Sequence, residues 1–511
     1  MTTTSADSVS VTSRHTVRCA NEASWTALDS PFRLGPFDQL VSPSIPVAVV
    51  FVYKQPALTI DTEIIPVERL QRALTLLLDY YPHLTGRLQI DPSDGTPEIT
   101  RLGTGAELFV AQCSERLDAL SSSGRILMPS LPAAGNALFA PFDAALEGVC
   151  RDPIFTVQHT RFACGGVALG VRLLHKVCDA DGFFQLVRDL AELYRGIRSF
   201  EVYDDPTSGV PSLTHPPHIR PYMSELIGGD MAPEERQAAL DVQPSLFHVQ
   251  SSTEAGAGGA SFSVATSSPS SPAPIVGRFM RFSSRELSAL KTHATDPNSG
   301  GPSSDSWIST FDALSAHLYQ SVYRARLQLR VEDPKQGEMS PPNFLTPVNV
   351  RNRFGLPPRY FPNALICTYT GVPPDVLASG PLWQVAKVLH DLTRTSSTTS
   401  KEEMNQTLKW IAMQPDKQKI RQGFLYGNGS LMISQWNKVD MYAGTRFEVP
   451  PTLVSTPFTP ISLVDGLAYF LPTEEQGTAG DTGAIDVNLS LSEPLWGIID
   501  QDEEFRRFRD A

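Results

Sequence analysis

One stretch of the chain sets side chains at a spacing that could do chemistry: His175-Lys176-Val177-Cys178-Asp179-Ala180-Asp181-Gly182. Histidine is the side chain best suited to take a proton near neutral pH. An aspartate four residues later could orient the imidazole, as in a triad. Cys178 could be offered as a nucleophile paired with His175, but reads better as filler. The bland alternative for His175 is a buried histidine satisfied by a backbone carbonyl. Elsewhere, His215 and His218 form a His-x-x-His pair among prolines, without a cysteine or acidic cluster nearby, and read as loop residues rather than metal ligands. There is no Gly-x-Ser-x-Gly elbow, phosphate loop or dinucleotide fingerprint.

The elements that must position His175 are legible around it. Val157 to Phe162 reads as a strand, Cys164-Gly165-Gly166 as a turn, and Val167 to Leu174 as a second strand. Val167, Leu169, Val171 and Leu173 share one face of that strand. His175 continues their parity, so it points inward where the chain leaves the sheet, the place where a rigid scaffold presents a reactive group. A helix follows, with Phe183, Leu186, Val187, Leu190, Ala191 and Tyr194 on one stripe and Gly196 as its expected stop. Upstream, Leu70, Ala73, Leu74, Leu77, Leu78 and Tyr81 predict an amphipathic helix over Val67 to Tyr81.

Strand, Cys-Gly-Gly turn, strand, His-x-x-x-Asp-Ala-x-Gly-x-x-Gln and helix, in that order over some forty residues, resemble the BAHD acyltransferases, the coenzyme A-dependent family marked by His-x-x-x-Asp. The likeness is to members of fungal specialised metabolism. It extends from about Pro31 to the C-terminus, interrupted at 200–276. Asp38 and Leu40 fit the family's Leu-x-x-x-Asp-x-Leu stretch, and Tyr81 to Leu88 its Tyr-Pro-Leu-Ala-Gly-Arg-Leu segment. The helix from Ser309 resembles the family's Ser-x-x-Glu-Ala-Leu-Ser-Ala-His-Leu-Trp helix, with His317 as a packing residue; His83 reads as structural too. Thr346 to Thr370 is similar to the Val-Asn-x-Arg-x-Arg…Pro-Pro-x-Tyr-Phe-Gly-Asn run, with Pro362 in place of the glycine. Ile433-Ser434-Gln435-Trp436 looks like Thr-Ser-Trp. The Asp-Phe-Gly-Trp-Gly motif that should follow falls on Thr445-Arg446-Phe447-Glu448-Val449 or on Asp440-Met441-Tyr442-Ala443-Gly444, and matches neither cleanly.

The resemblance implies an α/β fold of two similar domains, each with a mixed β-sheet flanked by helices, facing each other across a solvent channel. It implies His175 as general base and Ser434 and Trp436 as donors to the oxyanion of the tetrahedral intermediate. Asp179 and Gly182 would be structural at the active site. Asp179 would turn away from His175 toward an arginine near the start of the second domain, for which Arg278 and Arg281 are the candidates. Asp181 has no family counterpart and reads as a solvated surface acid. The implied reaction moves an acyl group from acyl-CoA, as co-substrate, to a hydroxyl or amine of a small metabolite. No metal, tightly bound cofactor or covalent acyl-enzyme is implied. Two other readings stay open. One is a condensation or cyclisation catalyst on the same fold acting on a carrier-bound chain, disfavoured because such domains show two adjacent histidines and Leu174 precedes His175. The other is a catalytically silent binding protein, disfavoured by the joint presence of His175, Asp179 and Gly182.

Composition sets the outer bounds. A chain of 511 residues with 41% hydrophobic and 19% charged residues can bury a large core in two or three domains. The net charge of −13 argues against a nucleic-acid partner. Six cysteines without metal spacing read as free thiols of a reducing compartment. Residues 1–14 lack the apolar centre of a signal peptide, and Ile45 to Tyr53 is too short to span a bilayer, so a cytoplasmic monomer with no membrane attachment is expected. The Asn-x-Ser/Thr triplets at Asn405, Asn428 and Asn488 read as incidental. The predicted division is 1–30 as a lead-in, disordered to about Val11, then 31–205 and 277–511 as the two domains. Between them lies a crossover at 206–276, containing a Ser/Gly/Pro-rich linker at 251–274.

Overall fold

The computed structural model describes residues 8–57, 63–122, 124–203, 210–229, 231–250, 273–298, 307–334, 337–398 and 400–508. The strand Val167–Leu174 lies inside a six-stranded sheet. It runs antiparallel to Pro46–Tyr53 on one side and to Phe155–Phe162 on the other, with Val171 opposite Val49 and Val157. The full order is Val9–Val17, Ala106–Cys113, Phe155–Phe162, Val167–Leu174, Pro46–Tyr53, Leu453–Ser455. Only Ala106–Cys113 and Phe155–Phe162 pair in parallel, so the sheet is mixed. Alternation puts Val47, Val49, Phe51, Val167, Leu169, Val171 and Leu173 on one face. That face is buried in one cluster with Leu70, Leu74 and Leu77 of the Val67–Tyr80 helix and Phe183, Val187 and Leu190 of the Ala180–Tyr203 helix.

A second six-stranded mixed sheet has the order Ile275–Phe282, Ile485–Ser492, Leu467–Pro472, Ser430–Gln435, Asn343–Asn349, Leu365–Gly371. Ser430–Gln435 is parallel to both of its neighbours. Its core joins the sheet to the long helices Thr310–Glu332 and Leu382–Thr398. The first of these starts on a capping box, in which Ser309 Oγ accepts from Asp312 N–H and the Asp312 carboxylate accepts from Ser309 N–H. Two mixed sheets flanked by helices are the expected architecture. No helix of the described residues is long and apolar enough to cross a membrane.

The structure differs from the expected organisation at four places. Val9, Ser10 and Val11 are not disordered; they open a strand paired with Ala111, Gln112 and Cys113. Leu453–Ser455 falls within 277–511 in sequence but completes the first sheet, beside Val50, Phe51 and Val52. Gly196 does not stop its helix, which runs to Tyr203, because the fully buried Ile197 prolongs the apolar stripe. The crossover carries a strand of its own, Phe247–Val249, paired with Ile420–Gln422. Most of the predicted linker at 251–274 lies outside the described residues.

Candidate active site

His175 sits directly beyond the last residue of its strand. Its N–H donates to Ile45 O at 3.1 Å, and its carbonyl accepts from Asn363 Nδ2 at 2.9 Å, so the backbone is held from both sheets' domains. The residue is half-buried. Nδ1 is buried, and no group of the described residues meets it at hydrogen-bonding geometry. Nε2 is not buried and meets no hydrogen-bond partner among the described residues. Burial holds the imidazole pKa below its ordinary 6.5; the loop backbone, the Asp179 charge and the Asn363 side chain each counter part of that shift.

Asp179 serves a different purpose. Arg351 grips its buried carboxylate with both terminal nitrogens, Nη1 to Oδ2 and Nη2 to Oδ1, each at 2.8 Å. Gly182 N–H donates to Oδ1 at 3.2 Å and Ala364 N–H to Oδ2 at 2.9 Å. With four donors around two oxygens, nothing is left to face the imidazole. The guanidinium is as fully used: Nε donates to Tyr360 O and Nη2 also to Pro362 O. Gly182 is required by a close approach, since a Cβ there would stand 2.1 Å from Phe361 O. The partner of Asp179 is therefore neither of the expected arginines. Arg278 lies on an edge strand and reaches Asp500, while Arg281 is shared by Glu474 and Asp486. Asp181 also departs from expectation. Asn349 Nδ2 donates to it and Arg351 stands 3.6 Å away, so it belongs to the same domain contact rather than to open solvent.

Asn363 was not singled out by its sequence, yet it ties the site together. Its Nδ2 donates to Asp38 Oδ1 at 2.7 Å as well as to His175 O, and its N–H also donates to Asp38 Oδ1. Its Oδ1 is buried and unpartnered, as is His175 Nδ1. Asp38 also accepts from Gly35 N–H at 2.8 Å. Burial pushes its carboxyl up to about 7 against the pull of those donors. Lys176 is buried beside it and donates to Asp38 O and Gln39 O; burial pushes its ammonium down to about 7, partly opposed by Asp38. The signal for Asn363 and Arg351 lay in the 346–370 segment, but only tertiary docking shows what they touch.

Ser434 and Trp436 lie at the end of the second sheet's strand Ser430–Gln435 and directly beyond it. Trp436 Nε1 donates to Ser434 Oγ at 3.0 Å, which commits the indole and leaves the hydroxyl hydrogen free to turn elsewhere. The indole packs edge-on against Phe184, in the first turn beyond Gly182, with ring centroids 5.9 Å apart, and against Tyr469 at 5.3 Å. Trp436 is thus in contact with the helix that follows the histidine loop. Cys178 is buried, and burial pushes its thiol far up, so it offers no thiolate. His83 is buried against Phe32 and Phe361, and His317 stacks on Phe505.

The degenerate segment after Trp436 is a docking loop. Phe447 packs on Tyr53 and Tyr194, and Thr445 O accepts from Tyr53 Oη at 2.9 Å. Glu448 accepts from Arg69 Nη1 at 2.8 Å, from Ile65 N–H at 3.0 Å, and from Tyr194 Oη. Every one of those partners belongs to the first sheet's domain. A cavity of about 730 Å³ lies between residues 28–33, 218–225 and 356–360; His175 is not on its wall.

A histidine at the strand end between two mixed sheets, with an aspartate pinned across the domain boundary, is the arrangement expected of the coenzyme A-dependent two-domain acyltransferases. A model of the Transferase family matches residues 7–224 and 273–493, and the chain belongs to this family, that of the BAHD acyltransferases. It is 24% identical over 466 residues to hydroxycinnamoyl-CoA:piscidic acid hydroxycinnamoyltransferase of Actaea racemosa, a match covering 87% of this chain and 90% of that one. It is 35% identical to taxadien-5-alpha-ol O-acetyltransferase of Taxus chinensis, but over 132 residues only, which are 26% of this chain and 28% of that enzyme's length. Among solved structures, vinorine synthase superposes with a TM-score of 0.65 at 15% identity, covering 98% of both chains. TRI101 of F. graminearum, solved with coenzyme A and T-2 mycotoxin, gives 0.62 at 19% identity, covering 93% of this chain and 98% of that one. At such identities these structures speak for the fold.

Proposed function

We propose that the protein transfers an acyl group, acetyl or similar, from acyl-CoA to a hydroxyl or amine of a small specialised metabolite, with His175 as general base. The observation that carries the reading is the division of labour in one loop. Asp179 is saturated by Arg351, Gly182 N–H and Ala364 N–H, while His175 Nε2 stands open and unbonded beside it. A neutral imidazole, favoured by burial, can take the acceptor's proton through Nε2 as the oxygen or nitrogen attacks the thioester carbonyl. As the tetrahedral intermediate collapses, the same proton can pass to the leaving CoA thiolate. Asp179 and Gly182 act as positioning residues, through the shape of the loop.

On the oxyanion side the two expected donors separate. Trp436 spends its indole N–H on Ser434, so the Ser434 hydroxyl is the group able to donate to the oxyanion, with Trp436 holding it. The test is product formation from acetyl-CoA and a panel of alcohols and amines, read by mass spectrometry, for the native chain and His175→Ala. Acylated product from the native chain and a loss of at least about a hundredfold in the variant are expected. Near-native rates from His175→Ala would overturn the assignment. Release of a cyclised or condensed product from carrier-bound substrates, with no acyl-CoA dependence, would favour the condensation reading instead.

A further inference from the structure

Arg172 is the one residue of its strand that carries a charge, and it lies on the face opposite His175. Its guanidinium sits over the rings of Phe139 and Phe142, at 5.1 and 5.0 Å from their centroids. Nη1 donates to Ala140 O. Nε is buried without a hydrogen-bond partner, and no carboxylate of the described residues pairs with the group. Burial alone pulls its pKa down to about 10, with no neighbouring charge countering the shift. It stays cationic at neutral pH all the same.

This unpaired cation lines a cavity of about 230 Å³, on whose apolar wall are Phe109, Pro141, Phe142, Ile154 and Leu174. The volume matches that of about seven or eight liquid waters. Across the sheet, Thr156 stands directly opposite Arg172, and Glu107 directly opposite Thr156. The backbones of Glu107 and Arg172 are thus two strand spacings, roughly 10 Å, apart; Glu107 is paired with Arg14, and both also line the cavity. Asp152, also on the wall, is held by Arg151. The Thr156 hydroxyl meets no hydrogen-bond partner among the described residues, although the residue is buried.

We propose that this cavity is a binding site for a small monocarboxylate with an apolar body, held by Arg172 with Thr156 beneath it. The chemistry follows from the lining. Nη2, which is not buried and meets no hydrogen-bond partner among the described residues, can donate to a carboxylate, and the phenyl, proline and leucine walls suit an aryl or short alkyl group. The site lies on the back of the strand that ends at His175, and the proposal does not depend on the acyl-transfer reading.

The experiment is thermal melting of the full chain against sodium benzoate and, separately, inorganic phosphate, for the native protein, Arg172→Met and Arg172→Lys. Benzoate should raise the native melting temperature in a saturable way. Arg172→Met should need about thirtyfold more benzoate or lose the shift, since a desolvated charge partner is gone. Without ligand it should melt close to the native chain, because the lost stacking on Phe139 and Phe142 and the lost bond to Ala140 O are offset by removing a buried charge that no carboxylate pairs. Arg172→Lys keeps the charge but not the fork, and should bind more weakly than the native protein. Four results would overturn the proposal: no native shift, equal shifts in native and Arg172→Met, a shift with phosphate but none with benzoate, or a clear loss of ligand-free stability in Arg172→Met. The last would make Arg172 a strut for the 139–142 loop.

Discussion

Asp179 and Arg351 meet edge to edge across the boundary between the two sheets, 172 residues apart in sequence, through two 2.8 Å hydrogen bonds. The carboxylate is fully buried and the guanidinium nearly so. Such a pair has little to gain over an apolar contact of the same shape, but a great deal to lose when one partner is removed.

Asp179→Ala or Arg351→Met should therefore each lower stability by about 3–5 kcal/mol, since each strands the other's charge. His175→Ala should leave the melting curve in place. Activity should fall in all three, so activity alone does not separate the roles, whereas calorimetry or chemical unfolding does. An Asp179→Ala melting curve that overlays the native one, with activity gone, would mean that the aspartate serves the imidazole directly.

A second prediction concerns pH. The proposed base works when neutral, and burial favours the neutral form. The acid limb of kcat/KM should therefore fall with an apparent pKa below 6.5, leaving a plateau through neutral pH. Asn363→Ala removes the amide that links Asp38 to the His175 carbonyl. It should lower kcat by about tenfold or more and, because the Asn363 side chain raises the His175 pKa, displace that limb to lower pH, while a merely structural Asn363 would lower stability and leave the limb where it was. A rate profile of the two proteins distinguishes these.

How much of this was legible in the sequence depends on the range of the interaction. The strand parity that points His175 inward, the helix behind it and the glycine at 182 are local, and the structure carries all three. The reason for Gly182, a carbonyl from Phe361, is not local, and neither is the choice of Arg351 over Arg278 and Arg281. Every arginine looks alike in a sequence; which one is buried beside Asp179 is decided by how two domains dock. The Thr445–Val449 segment shows the same limit. Its family pattern is eroded, yet Phe447 and Glu448 make the domain contact with side chains that no motif search would select.

A third prediction follows from two buried histidines outside the proposed catalytic set. Burial holds His83 at about 3, and burial holds His159 at about 4, with the Arg161 charge adding to the effect. Both are neutral in the folded chain. Below pH 6.5 the unfolded chain takes up protons that the folded one refuses, so this contribution to stability is intact above 6.5 and is lost as pH falls toward 4 and then 3. The loss is up to ~1.4 kcal/mol per histidine per pH unit. Urea unfolding of the native chain and His159→Gln, at neutral pH and about two units lower, measures it. The glutamine can still donate to Ile65 O, as His159 Nε2 does at 2.9 Å, but does not titrate. Its stability should depend less steeply on pH, and an unchanged slope would remove His159 from the account.

The last prediction separates Ser434 from Trp436. If the serine hydroxyl is the group that meets the oxyanion, Ser434→Ala should lower kcat by about a hundred- to a thousandfold, the range for loss of one such donor, with little change in KM. Trp436→Phe keeps most of the ring that packs on Phe184 and Tyr469 but loses the N–H that holds Ser434 Oγ. The hydroxyl is then free to rotate, and the loss should be smaller, about tenfold. Trp436→Ala removes the packing too and should also lower stability. The double variant Ser434→Ala/Trp436→Phe should be no slower than Ser434→Ala alone, because the indole N–H acts only through the hydroxyl. Additive losses in that cycle would show that the indole reaches the oxyanion itself. A larger loss in Trp436→Phe than in Ser434→Ala would reverse the two assignments.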